Sequence, residues 1–447
     1  YQTHDLDSSI VHLEEAGFDT LAKIGLVQTP SSEDFLLASV NFEYQLQSGK
    51  IVSTTSYVDI DNDSLEDSTD GVTAAFGGVV VFPDMALTAT QEQNTFTHET
   101  RFVSSFDGNF QLTAGVFLEN SERPLSQLFD NEGFELFGLP SLALMFSGER
   151  DLDQYAVFGE ASFLALDQKL EWTLGLRGFR FESDISDVYG GWLFAGTPAT
   201  QGNTTESGVN PKLVVSYAIN DNHMIYGTIA EGFRPGGANI ALPDFCVLPG
   251  GLEAPAGYDS DDLTSFEIGA NTSWLDNRLN VNVAAYRSKW DNLQVSIPLS
   301  GCSVSGIITN SGAAESDGGE IELVARPTDG LDISFGAAYI DAAFAEDNQL
   351  IGASDGDKIP NIPKWTYSGS VQYSFDLGDF GREGYARFYA TYRDSTPLTF
   401  TNSLETDSYT QIGLRLGMTT PSGWSFAVFG DNLSDEAPRL SILPNVA

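Results

Sequence analysis

Apolar and polar residues alternate along most of this chain with a period of two. From Asn222 onward, Met224, Tyr226, Thr228 and Ala230 share one face, and Ile225, Gly227, Ile229 and Glu231 share the other. Side chains of a strand point alternately to its two faces, whereas a helix repeats every 3.6 residues, so this spacing predicts strands. The stretch from Thr205 to Asn239 is the unit on which the rest is built. It reads as two long strands about Asn220-Asp221-Asn222, residue types that tolerate tight-turn backbone angles, followed by a loop from Arg234 to Asp261 rich in glycine and proline. About eight such units follow one another.

The other pairs are read the same way. Phe35 to Leu46 and Lys50 to Ile60 turn at Gln47-Ser48-Gly49, Thr95 to Phe106 and Asn109 to Glu119 at Asp107-Gly108, and Asp153 to Leu166 and Lys169 to Phe181 at Asp167-Gln168. Leu263 to Trp274 and Arg278 to Ile297 turn at Asp276-Asn277, and the next pair turns near Thr328-Asp329-Gly330. Trp365 to Phe375 and Tyr385 to Arg393 share a longer glycine-rich turn, and Tyr409 to Met418 and Trp424 to Asn432 turn at Pro421-Ser422-Gly423. Tyr1 to Asp34 is expected to hold the end of one strand and a loop. Connections alternate short and long throughout. Even pairing, strands of roughly 10–17 residues and long loops at one end only predict an all-β, antiparallel, up-and-down transmembrane β-barrel with short periplasmic turns and long extracellular loops. A soluble sandwich would have strands of about 5–6 residues, and no blade repeat of the kind a propeller shows is present.

Composition supports the barrel. No window reaches the roughly 20 apolar residues of a membrane helix, and 44 glycines with 12% aromatic residues suit strands that touch lipid with alternate side chains. The formal charge of −42 would repel nucleic acid, so no nucleic-acid role is expected. Acids concentrate in expected loops such as Asp59 to Asp70. Asp59-x-Asp61-x-Asp63 has the opening spacing of a calcium loop, but Ser64 stands where the glycine belongs, and a solvated acidic loop is the better reading. Cys246 and Cys302, the two cysteines of the chain, fall in loops at the same end and fit one disulfide in an oxidising compartment, with two unpaired thiols as the alternative. The opening Tyr1-Gln-Thr-His-Asp has neither a basic nor an apolar leader region, so a processed or cut start is expected.

Several stretches then resemble one family. Tyr226-Gly-Thr-Ile-Ala-Glu-Gly-Phe-Arg-Pro-Gly-Gly-Ala-Asn239, with Gly232, Phe233, Arg234, Gly236, Gly237 and Asn239 at the matching positions, is similar to a signature of TonB-dependent outer-membrane receptors. Thr264-Ser-Phe-Glu-Ile-Gly269, Leu275-Asp-Asn-Arg-Leu279, Asn310-Ser-Gly-Ala-Ala, Gly319-Glu-Ile-Glu322, Pro360-Asn-Ile-Pro-Lys-Trp365 and Gly430-Asp-Asn-Leu-Ser-Asp-Glu436, with Asn432 and Leu433, resemble its later landmarks in order. Thr97-His-Glu-Thr-Arg-Phe102 resembles an earlier strand. The resemblance implies a 22-stranded barrel with an N-terminal plug, importing a scarce ligand, most often a ferric siderophore, on energy delivered by TonB to a segment ahead of the plug. Residues 1–447 would then be one incomplete barrel domain without plug, first strands or last strand. Its setting would be the outer membrane of a Gram-negative bacterium, among lipid and lipopolysaccharide. The alternatives are a passive porin, TonB-dependent uptake of haem, a vitamin or a saccharide, or a barrel adhesin.

Candidate chemistry is sparse. His4, His12, His98 and His223 are scattered without metal-ligand spacing, and no nucleophile motif occurs, so neither enzyme, metal site nor cofactor is expected. Arg101, Arg177 and Arg415 fall on polar faces and, with Glu231, are the lumenal candidates for ligand contact. The plainer reading pairs the arginines with a plug or with Glu160, Glu171 and Glu267. Trp172, Tyr226, Trp274, Trp290, Trp365 and Trp424 are expected at the membrane interfaces. Loop contacts to a ligand are expected within Arg234–Asp261 and Pro298–Ser305.

Overall fold

In the computed structural model the alternating segments become strands and most extend further, but the strand expected over Arg278 to Ile297 stops at Asp291 and its last residues enter a separate hairpin. The structure describes residues 2–6, 29–68, 85–239, 241–242, 248, 254–297, 306–310, 312–378, 383–401 and 403–440. The wall opens with β1 (Gln2–Leu6), β2 (Ser31–Leu46), β3 (Gly49–Asp67), β4 (Ala86–Ser104), β5 (Phe110–Glu122) and β6 (Leu125–Asp130). It continues with β7 (Leu142–Ala165), β8 (Leu170–Gly190), β9 (Thr200–Asn220) and β10 (His223–Arg234). The long loop that follows carries its own small hairpin, β11 (Gly237–Ala238) with β12 (Gly257–Tyr258). After β13 (Asp261–Trp274) and β14 (Leu279–Asp291) a second small hairpin, β15 (Gln294–Ile297) with β16 (Ile307–Asn310), interrupts the wall. The wall ends with β17 (Ala314–Thr328), β18 (Leu331–Phe344), β19 (Trp365–Phe375), β20 (Glu383–Arg393), β21 (Tyr409–Thr419) and β22 (Ser425–Gly430).

Eighteen strands form one antiparallel sheet in which chain neighbours pair, the up-and-down order of a barrel wall. β5 and β6 lie end to end, since both pair with β4 on one side and β7 on the other. Pro124, which has no N–H to offer the ladder, sits at the break between them. Among the described residues no pairing joins β22 back to β1.

The short turns follow from local chemistry. Leu166, Asp167 and Gln168 have φ of 50°, 55° and 68°, and Leu275, Asp276 and Asn277 repeat this at 54°, 55° and 64°. Each turn closes on a backbone hydrogen bond, Lys169 N to Leu166 O at 3.3 Å and Arg278 N to Leu275 O at 3.2 Å. At Asn220 the side chain makes the turn itself, its Oδ1 accepting from Asn222 N at 2.9 Å.

Register decides which side chains share a face. Val215, Gly227, Ile268 and Ala285 form one cross-strand row, and Leu213, Ile229, Phe266 and Arg287 the next. Trp172, Leu174 and Leu176 belong to the same face and are 44%, 54% and 60% exposed. No second sheet or helix layer covers them among the described residues. An apolar face left this open in a single-layer wall is the pattern expected of strands that turn alternate side chains to lipid. The belt ends in charge: Arg287 pairs with Glu315 (2.7 Å) and Asp317 (3.4 Å), and Lys289 with Glu315 (3.5 Å). Asp59, Asp61 and Asp63 share this outward face with Tyr57. They lie within β3, which runs to Asp67, so the acidic run expected as a loop is strand up to that point. Asp70 lies outside the described residues.

The opposite, lumenal face carries Tyr226, Glu267, Tyr286 and Glu320. Its glycines sit beneath tyrosines. A Cβ at Gly269 would lie 2.6 Å from the Tyr226 ring, and Gly318, Gly413 and Gly417 lie in the same way against Tyr286, Tyr389 and Tyr385. The rings therefore lie along the wall. Buried apolar side chains concentrate at the long-loop end in two clusters. One holds Met85, Phe129, Phe134 and Phe194, and the other Leu248, Val295, Ile297, Ile307 and Phe344.

Candidate functional site

The signature segment after Ala230 works as a clamp. Register sets Arg234, the last residue of β10, opposite Asp261, the first of β13, so the pair closes the base of the loop between them. Asp261 is fully buried and accepts from Arg234 Nε (3.1 and 3.0 Å), from Arg234 N (3.2 Å) and from Gln294 N (3.0 Å), besides a contact from Arg234 Nη2. The guanidinium also donates to Gln294 O at 3.0 Å and lies over the Trp290 ring, 4.6 Å from its centroid. Gln294 Nε2 returns the tie, donating to Pro235 O (2.9 Å) and Asp259 O (3.0 Å).

Asn239 completes the clamp. Its Nδ2 donates to Pro255 O (3.0 Å) and Ile308 O (2.7 Å), and its Oδ1 accepts from Ile308 N (2.8 Å). This one buried amide thus binds β16 to the loop that carries β11 and β12. Gly236 and Gly237 are there for close approach: a Cβ would come within 2.6 Å of Tyr258 O at the first and of the Tyr258 hydroxyl at the second. Gly232 makes no such demand, since a Cβ there would meet nothing within 4 Å.

Phe233 fastens the clamp to the neighbouring strands. β10 pairs with β9 only as far as Ala230 opposite Lys212, although its pairing with β13 goes on to Arg234. Over those last residues Phe233 stacks on Phe179, with centroids 3.8 Å apart, and on Phe181 at 5.9 Å. Asn432 and Leu433 close the far end of the wall. Asn432 brackets a turn, bonding Glu436 N (3.1 Å) and Glu436 O (3.0 Å), and Leu433 N donates to Ile412 O (2.8 Å). Nearby the Arg439 guanidinium holds the Asp407 carboxyl down to about 2.

A second clamp stands beside the first. Asp187, also fully buried, accepts from Arg150 at 2.5 and 3.0 Å. Burial pushes the Tyr258 phenol above its ordinary value, while Arg150 and Arg234 both pull it back, which places Tyr258 within electrostatic reach of the two clamps. The Arg150 and Arg234 side chains remain 34% and 45% exposed. The long-loop mouth of the lumen thus holds two fixed cations, of which Arg234 lies over the Trp290 ring.

The expected lumenal residues separate. Arg101 and Arg177 lie in one cross-strand row through Gly115 and Phe158. Arg101 pairs with Glu99 at 2.6 Å, and Arg177 lies 5.2 Å over the Phe117 ring. Arg415, far along the wall, donates to Tyr385 Oη at 3.1 Å and lies over Phe429. Of the acids, Glu160 pairs with Lys212 (3.0 Å) and Glu267 accepts from Tyr226 Oη (2.7 Å). Glu231 departs from expectation. It alternates with Ile229 and so takes the outward face, opposite Thr264, above the apolar belt and not in the lumen. Tyr226 and Trp290 depart from the expected outward placement, facing the lumen, whereas Trp172, Trp274 and Trp365 are on the outward face. Arg150 and Asp187 carried no signal in the sequence. Arg234 and Asp261 did, as the opposite charges flanking the longest glycine- and proline-rich loop. Cys246, Cys302 and Pro298–Ser305 lie outside the described residues, and among those described no three His, Cys, Asp or Glu side chains are grouped to hold a metal.

A single-layer wall with an apolar exterior, a polar lumen and loops clamped over one end defines a membrane β-barrel of the receptor type. The chain belongs to the TonB-dependent receptor family: the family model described as "TonB dependent receptor-like, beta-barrel" matches residues 16–433. It is 23% identical to the pesticin receptor of Yersinia pestis over 369 residues, 80% of this chain and 50% of that protein. In structure it is similar to the ferric yersiniabactin uptake receptor FyuA of Yersinia pestis (TM-score 0.73, 16% identity, 92% of this chain and 57% of that one). It is also similar to the siderophore receptor PiuA of Acinetobacter baumannii (TM-score 0.70, 19% identity, 91% of this chain and 61% of that one). These relatives are receptors and not enzymes. The chain spans about half the length of the curated relative it matches.

Proposed function

We propose that this chain is the barrel portion of an outer-membrane receptor of a Gram-negative bacterium that imports a ferric siderophore, with TonB supplying the energy through a plug inside the barrel. On this reading residues 1–447 are one incomplete barrel domain of a longer receptor. The observation that carries it is the lumenal mouth, where Arg150 and Arg234 are each held by a buried aspartate yet left partly exposed, Arg234 over the Trp290 ring. Fixed guanidinium groups and ring faces suit a bulky anionic, aromatic chelate, which they would bind by charge and stacking without covalent chemistry. Lower in the lumen Glu267 and Glu320 have no cationic partner among the described residues, so the wall has negative charge free for a basic plug surface. The relatives named for pesticin, ferric yersiniabactin and siderophore reception support the ligand class.

Growth of a deletion strain on a panel of ferric siderophores under iron limitation tests this. Loss of growth on one of them, restored by the wild-type gene, is the expected result. Normal growth on all of them, with expression indifferent to iron, would reject the siderophore. A barrel that leaks small solutes after reconstitution would favour the porin.

We further propose that Cys246 and Cys302 form a disulfide. Flanking residues support it, since Leu248 packs in one cluster with Ile297 and Ile307. Thiol titration of the denatured protein is expected to find both cysteines reactive only after reductant; the same titre before and after would refute the bond.

A further inference from the structure

Cations are scarce in this chain, 21 Lys and Arg against 63 acids, yet two of them meet on the lumenal wall near its short-turn end. Arg387 of β20 stands directly opposite Arg415 of β21, in a row that begins with Gln372 of β19 and ends with Phe429 of β22. The alternate residues Phe388, Leu414 and Leu416 are exposed on the apolar side, which puts both arginines on the lumenal face. Arg415 is fixed there, its Nε donating to Tyr385 Oη at 3.1 Å and its guanidinium lying 5.6 Å from the Phe429 ring centroid. Arg387 makes no hydrogen bond or ion pair with any described residue. Acids close to the pair in register are engaged elsewhere. Asp431 accepts from Tyr389, and Asp332, which opposes Gln372, pairs with Arg326 at 2.6 Å. The other charges on the lumenal faces of β19 to β22 are Glu383 and Arg393, at the two ends of β20.

We infer that Arg387 and Arg415 form a carboxylate-binding site; the inference rests on reading this face as the lumen of a receptor barrel. Like charges directly opposite each other destabilise a sheet. A carboxylate between the two guanidinium groups turns that repulsion into charge-assisted hydrogen bonds. The planar fork of each arginine matches the two oxygens of a carboxylate, which a point charge such as lysine would not. Tyr385 and Phe429 hold Arg415 by its Nε edge and its face, and its two Nη groups bond no described residue. Arg387, free of the wall, is able to close on the same anion. The flanking strand offers only neutral groups on this face, Ser370, Gln372 and Ser374. This sets the pair apart from the clamps at the mouth, where each arginine already has its buried aspartate. Two sources supply the same chemistry, a side chain of the plug or a carboxylate of a soluble cargo, and the two give different results.

Full-length receptor is compared with Arg387→Gln, Arg415→Gln and Arg326→Gln for its urea unfolding midpoint, with and without citrate at constant ionic strength. Heat-modifiable mobility on gels confirms that each barrel is folded. Arg387→Gln decides, because it removes no contact within the wall and relieves Arg415 of a like charge. An empty pair would leave that variant as stable as wild type or more so. If the plug supplies the carboxylate, Arg387→Gln and Arg415→Gln are expected to unfold at lower urea than wild type, with no response to citrate. If a soluble carboxylate does, citrate is expected to raise the midpoint of wild type and Arg326→Gln. The other two variants should then bind it about tenfold more weakly, the loss of one hydrogen bond between charged groups. Arg387→Gln at or above the wild-type midpoint with no citrate shift in wild type, or a citrate shift undiminished in both Arg387→Gln and Arg415→Gln, would overturn the inference. Siderophore-dependent growth of the deletion strain reads transport separately. Growth lost on deletion beside a negative result here would leave the receptor standing and remove only this site.

Discussion

Arg234→Ala is expected to release the long loops from the mouth and abolish ligand binding while the barrel still assembles. The substitution leaves Asp261, which has no exposed surface, as a buried carboxylate without its cation. Removing one partner of a fully buried pair costs about 3–5 kcal/mol. Arg234 is itself 45% exposed, so a local loss of about 2–3 kcal/mol is the better figure. The same change strips the cation from Trp290 and the donor from Gln294 O, so both small hairpins lose an anchor. Arg234→Lys should rescue only part of the effect, because an ammonium group cannot make the paired Nε and Nη2 contacts or stack on the indole. Ligand binding, limited proteolysis of the loops and heat-modifiable mobility together read the result. Full binding in Arg234→Ala would show that the clamp has no hold on the mouth.

Leu174→Arg is expected to prevent stable assembly, whereas Thr173→Arg, its neighbour on the other face, is tolerated. Leu174 is 54% exposed between Ala161 and Leu213, in the middle of the apolar belt. An arginine on the lipid face near the bilayer midplane costs about 2–4 kcal/mol. Thr173 faces the lumen, where the change sacrifices its hydrogen bond to Ser162, worth about 1 kcal/mol, and the guanidinium reaches water. Surface accessibility and heat-modifiable mobility distinguish the two variants. Equal tolerance would mean that the outward face does not touch lipid.

The lower half of this wall is legible in the chain because its signals are local. Asp107-Gly108, Asp167-Gln168 and Asp276-Asn277 mark turns by their own chemistry, and Leu170, Trp172, Leu174 and Leu176 mark a face by contrast with their neighbours. That contrast fades above the membrane, where both faces are wet. β8 therefore runs on to Gly190 and β3 to Asp67 through largely polar residues, while β7 begins in the apolar run Leu142–Phe146, where Ala143, Leu144 and Phe146 are buried in a cluster and alternation is lost for the opposite reason. Glu231 is misread where both faces are wet: its parity with Ile229 is plain, but a charge above the belt can sit outside as comfortably as inside. The contacts within the clamps lie beyond local reading, even where, as at Arg234 and Asp261, the charges themselves flag the ends of a loop. Arg234 and Asp261 are 27 residues apart, and Arg150 and Asp187 are 37 apart, so only strand register shows that they meet.

Laying tyrosine rings over Gly269, Gly318, Gly413 and Gly417 has a consequence for what can pass. Phenols standing upright on those strands would narrow the bore from several sides at once. Flattened against the backbone, they leave the width of the passage to the number and tilt of the strands. Across the described strands the reach of the lumenal face is therefore set by the course of the backbone, and exchanging those aromatic side chains for smaller ones would change it little.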